Sequence, residues 1–160
     1  MLSVRGLSSA VATGLLLSLW AVPGVFAGPP EEPQEGLRPI QWVLDTEKPP
    51  PKPKSRFIAV AVHEGGCASG RNPLPHLGDP EVISTKRAVV VTLRIDPPEG
   101  LQLCPANPIG HLRVNLSKPL GKRKLYDGAD KPARRVKYGE DPRRPGTLLP
   151  GYSRSPFLRQ

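Results

Sequence analysis

The apolar stretches of this chain alternate with a period of two, and none carries the capped 3.6-residue period of a helix. Phe57 to His63 reads F-I-A-V-A-V-H. Ile58, Val60 and Val62 point one way and Phe57, Ala59 and Ala61 the other, which predicts a strand buried on both faces. Val82 to Ile95 is the strongest β signal. Val89, Val91, Leu93 and Ile95 alternate there with Ala88, Val90, Thr92 and Arg94, and β-branched side chains favour the pleated surface. Asp96-Pro97-Pro98-Glu99-Gly100 ends it. His111 to Leu116 alternates again, with Leu112, Val114 and Leu116 predicted inward.

Weaker segments flank these. Leu37 to Asp45 holds Ile40, Trp42, Val43 and Leu44 and reads as a first strand. Lys48 to Lys54 carries four prolines in seven residues, so it is extended or polyproline-like. Lys124-Leu125-Tyr126 reads as a short strand, Asp127-Gly128 as a tight hairpin turn and Arg135 to Tyr138 as the returning strand. From Gly139 onward no period remains, and Pro142, Pro145, Pro150 and Pro156 punctuate what reads as a disordered basic tail over 139–160. Short strands at this spacing predict an all-β domain over 37–138, a small antiparallel sandwich or barrel. Few aromatics follow residue 27, so Val, Leu and Ile must build the core.

The first 27 residues follow another logic. One charge, Arg5, precedes an apolar stretch centred on Leu15-Leu16-Leu17 and Leu19-Trp20. Pro23-Gly24 breaks it, and Val25-Phe26-Ala27 puts small residues where a signal peptidase reads. Residues 1–27 therefore read as a cleavable secretory signal, and Gly28–Gly36 as a flexible Pro/Glu linker. An uncleaved anchor is the alternative, but Ser8, Ser9, Thr13 and Ser18 interrupt the run. In an exported chain the two cysteines, Cys67 and Cys104, read as a disulfide. They enclose 36 residues, a loop for which chain entropy gives about 4 kcal/mol. A free thiol or a metal site are the alternatives, and no histidine spacing matches a structural zinc site.

Several of these segments together resemble a known family. The order is a V-x-V strand, Gly66-Cys67-Ala68-Ser69-Gly70, an alternating valine strand, Cys104-Pro105, and Val114-Asn115-Leu116-Ser117-Lys118-Pro119-Leu120-Gly121-Lys122-Arg123-Lys124-Leu125-Tyr126-Asp127-Gly128. This resembles an uncharacterised extracytoplasmic β domain of actinobacterial secreted proteins and lipoproteins. The V-x-L-x-x-P-L-G-x-R-x-L-x-D-G stretch is its most specific part, and the resemblance spans residues 57 to 130. It implies export and a β fold and transfers no catalytic residue. The chain lacks the lipobox of the lipoprotein members and adds a basic C-terminal region. In a bacterial source the sequon Asn115-Leu116-Ser117 carries no glycan.

Charge adds the one argument for a partner. Residues 28–117 hold 10 Lys/Arg and 10 Asp/Glu, whereas residues 118–160 hold 12 and 4, an excess of +8. Lys122, Arg123, Lys124, Arg134, Arg135 and Lys137 flank Asp127-Gly128 and are the candidate contacts for anionic envelope polymers or lipid headgroups. Arg143, Arg144, Arg154 and Arg159 extend the positive field. A solvated basic tail that serves only solubility is the bland alternative. Nucleic acid does not suit an exported chain without interleaved stacking aromatics.

Catalytic motifs are absent. The positions flanking Ser69 are Cys67 and Arg71, which fails the G-x-S-x-G pattern. No spaced carboxylate pair or calcium loop stands out, so no cofactor or metal is expected. The reading is a monomeric, secreted or envelope-associated, non-enzymatic protein. The alternative is a small secreted enzyme or enzyme inhibitor acting through His63, Glu64, Cys67 and Ser69 with His76 or His111, since loops carry function.

Overall fold

The segment from Leu37 to Asp45 forms two strands that belong to different sheets. In the computed structural model, which describes residues 36–152, β1 (Arg38–Ile40) pairs with β5 (Ala88–Ile95), and β2 (Trp42–Leu44) pairs with β3 (Phe57–His63). The chain crosses between sheets at Gln41. The crossing is anchored at Trp42, fully buried, whose indole Nε1 donates to the Val91 carbonyl of the opposite sheet at 2.9 Å.

One sheet has the order β2-β3-β6, with β6 spanning Ile109–Asn115. The other is built on β5. One edge of β5 takes β4 (Glu81–Ser84) antiparallel. Its remaining edge is shared between β1 and a parallel partner, β7 (Lys124–Asp127), which in turn pairs with β8 (Arg134–Arg135). The predicted antiparallel β class therefore holds, with one parallel pairing inside it. The inward residues Trp42, Leu44, Ile58, Val60 and Val62 of one sheet meet Val89, Val91, Leu93, Ile95, Leu125 and Val136 of the other in one apolar core.

Four expectations need correction. Val82 to Ile95 is a hairpin, because polar Thr85-Lys86-Arg87 turns the chain and the Thr85 hydroxyl accepts from the Ala88 N–H at 3.0 Å. Phe57 is exposed and Ala59 half-exposed, so β3 is only partly buried on its second face, where Ala61 alone is covered. Asp127-Gly128 is not a tight turn. Gly128 donates to the Val91 carbonyl at 2.9 Å and runs so close to Thr92 that a Cβ there would overlap its side chain, while the return to β8 takes a longer loop. Finally, the tail does not begin at Gly139. β9 (Glu140–Asp141) and β10 (Arg144–Leu148) form a hairpin beside β2, closed by the Tyr138–Tyr152 ring pair with centroids 5.7 Å apart. Its strands are too short to leave a readable period. The proposed signal, nearly all of the linker and residues 153–160 lie outside the described residues.

Candidate functional site

The loop after β3 and the loop before β6 are joined by a disulfide between Cys67 and Cys104, with Cα atoms 4.2 Å apart. The groups that tempt a catalytic reading here hold the loops together. The Ser69 hydroxyl accepts from the Leu103 N–H at 3.1 Å and donates to Gln102 Oε1 at 2.9 Å. Ser69 also sits at a φ of 51°, a left-handed conformation that these bonds hold. Buried Asn107, which carries no sequence motif, donates to the Glu64 and Gly66 carbonyls and accepts from the Gly70 N–H. Glu64 is fully buried and clamped by Arg71 and Arg38, each at 2.8 Å. Burial alone would raise its carboxyl, but the hydrogen bonds and charges of the two guanidiniums outweigh burial and hold it below the usual range. Burial and then Arg143 push the His63 imidazole down.

On and beside β7 and β8 the six cations singled out in the sequence divide. Arg134 turns inward, bridging Asp127 (3.2 Å) and Glu140 and donating to the Trp42 carbonyl at 2.8 Å. Arg123 folds back on the carbonyls of Leu120, Lys118 and Pro119. Lys122, Lys124, Arg135 and Lys137 are exposed. Register explains the division. Leu125 and Asp127 face the core, so Lys124 and Tyr126 face out; Arg134 and Val136 turn in, so Arg135 and Lys137 turn out. The acids of this region are withdrawn from the surface. Asp127, Glu140 and Asp141 are buried, and Asp130 accepts from the Gln41 amide at 2.7 Å. Sequence counts four acids against the cations; the surface presents almost none of that negative charge.

A second surface was not legible in the sequence. On the outer face of the β2-β3-β6 sheet, Phe57, Ala59, His111 and Arg113 form one wall of an open groove of about 570 Å³, and Pro49-Pro50-Pro51 forms the other. Lys48, Lys52 and Ser55 also line it. The Arg113 guanidinium lies over the Phe57 ring at 3.3 Å. At its end the His111 Nδ1 stands 3.2 Å from Oδ2 of buried Asp45, and its Nε2 3.9 Å from Glu47 Oε1. Nothing in linear spacing ties residues 45 and 47 to 111; only the β2-β3-β6 order does. His63, Glu64 and Ser69 do not line this groove.

These features define a small β domain of two packed sheets and a two-stranded hairpin, closed by one disulfide. Among the described residues no helix is long and apolar enough to cross a membrane. The chain matches no family model, no curated protein and no solved structure.

Proposed function

We propose that this is an exported, non-enzymatic interaction domain held to an anionic envelope surface by the outward cations of its C-terminal third. One observation carries the reading: the acids among residues 118–152 are buried or hydrogen-bonded, while Lys122, Lys124, Arg135 and Lys137 stand exposed around the β7–β8 ladder. Near an anionic membrane each cation contributes up to about 1 kcal/mol, so four sum to about 4 kcal/mol at low salt. Screening removes much of this at physiological ionic strength unless the partner is densely charged, as an acidic wall polymer or a lipid surface is. The amino-terminal leader, the disulfide and the resemblance to extracytoplasmic domains support export.

The test uses the full mature chain with Lys122, Lys124, Arg135 and Lys137 all changed to Gln. Binding to envelope fragments and to anionic vesicles is measured against salt. The wild type is expected to bind and to release with salt, and the variant to bind up to roughly a thousandfold more weakly at low salt. Each of the three lysine substitutions should change stability by less than about 0.5 kcal/mol, since those side chains lie on the surface. Binding to fragments alone identifies a polymer, and binding to vesicles identifies lipid. Salt-insensitive binding, or an unaffected variant, defeats the proposal. Truncation at Gly139 is the wrong experiment, because it removes buried Glu140 and leaves Arg134 with one carboxylate.

A further inference from the structure

We infer that Asp45, Glu47 and His111 form a binding site for one divalent transition-metal ion of the zinc class. The three residues each offer a ligand atom, and these atoms lie within 4.8 Å of one another. Zinc holds nitrogen and oxygen ligands at about 2.0–2.2 Å, so two ligands of a tetrahedral ion stand about 3.3–3.5 Å apart. Asp45 Oδ2 and His111 Nδ1, at 3.2 Å, stand just short of that separation.

The backbone fixes two of the groups in advance. Asp45 ends β2, its N–H donates to the Ala59 carbonyl at 3.1 Å, and its carboxylate is buried. Its Oδ1 accepts from the Glu47 N–H at 2.9 Å, which curls the chain and returns Glu47 toward the imidazole. His111 is set by β6, opposite Ala61 in the ladder. Glu47 is exposed; its Oε1 stands 3.9 Å from Nε2, the ring nitrogen away from Asp45, and a side-chain rotation must bring it round to the Nδ1 side to complete the set.

The donor set selects the ion. One imidazole and two carboxylates suit zinc and its neighbours, whereas calcium prefers oxygen alone and copper(I) prefers thiolate. Two negative charges on the protein match a doubly charged cation. Three protein ligands leave at least one coordination position open, the pattern of a site that engages a ligand rather than a purely structural one. Asp45 and His111 line the groove, so an ion held there stands at its end, within reach of a ligand lying along Phe57 and the prolines.

The experiment is calorimetric titration of the full mature chain, disulfide intact, with zinc, and a parallel titration with cobalt(II), whose visible absorption reports coordination. The expected result is one saturable ion per chain and a cobalt band characteristic of four or five ligands. His111→Ala and Glu47→Gln are each expected to weaken binding roughly tenfold or more, the scale on which even outer ligand-shell changes act. Glu47 is exposed, so its variant remains decisive if His111→Ala lowers stability. Absence of saturable binding by the wild type overturns the site. So does binding that either variant retains in full, which would place the ion elsewhere.

Discussion

Glu64 and Asp127 are both closed to solvent, yet their carboxyls are shifted in opposite directions. Glu64, beside the disulfide, is held by two arginines: Arg71 reaches both of its oxygens, and Arg38 shares one. Asp127, between the sheets, shares a single guanidinium with Glu140. One region therefore has two cations for one anion, and the other has one cation for two anions. The carboxyl of Glu64 is held below its usual range despite burial, whereas burial raises that of Asp127 against the backbone bonds from Ala129 and Trp42 and the charge of Arg134. Two guanidiniums outweigh burial at Glu64, whereas at Asp127, set deeper in the protein, one shared guanidinium does not.

The largest break in the comparison is Arg134→Met. It leaves Asp127 and Glu140 without a counter-charge, and Trp42 loses the donor to its carbonyl. Removing one partner of a buried ion pair costs about 3–5 kcal/mol, measured as a fall in the urea midpoint at pH 7. The guanidinium is imperfectly satisfied even in the native state, since its buried Nε has no hydrogen-bond partner among the described residues. A loss below about 1 kcal/mol would mean that the two carboxylates find other partners, and the contrast with Glu64 would fall.

Arg71→Met is the smaller break. Glu64 keeps Arg38, so the carboxylate remains charged and paired. The substitution removes the bidentate pair to Glu64 and the bond to the Asp96 carbonyl but strands no buried charge, so the net loss stays near the scale of bonds to a charged group, about 1.5–3 kcal/mol. If Arg71→Met costs as much as Arg134→Met, then Arg38, half-exposed, contributes nothing at Glu64, and the two-to-one account is wrong.

How much of this was legible follows from the range of the interactions. The strands at Phe57 and Val89 and the β class depend on periods that lie within a few positions, and the disulfide on the chain holding just two cysteines, so these were readable. The switch at Gln41 was not, because Ile40 and Trp42 look like one strand until their partners in different sheets are known. The charged end was half legible. Lys124, Arg135 and Lys137 stand outward as charge predicts, but Arg134 carries the same charge and turns in, a distinction set by alternation in β8 and by the acids it meets. Asp127 read as a turn residue because Asp-Gly is a turn pair, whereas here Gly128 serves the close approach to Thr92. The Asp45–His111 pairing depends on strand order, which no local pattern encodes.

The finest test of the comparison is pH. Glu64 has a lowered carboxyl in the folded state, so its contribution is fully present above the ordinary Glu value of about 4.3 and is lost as pH falls through the lower folded value. Asp127 has a raised carboxyl, so its ionised form costs stability at neutral pH. That cost is relieved as pH falls through the raised folded value toward the ordinary Asp value of about 3.9, because the folded chain takes up the proton first. Acidification therefore brings a stabilising contribution from Asp127 before a destabilising one from Glu64. Urea midpoints from pH 7 to pH 3 for Glu64→Gln and Asp127→Asn separate the two. Relative to wild type, Glu64→Gln should lose less stability at the acid end, and Asp127→Asn should lack the earlier gain. Difference curves of the same sign would show that the two carboxylates do not differ in the way their counter-charges require.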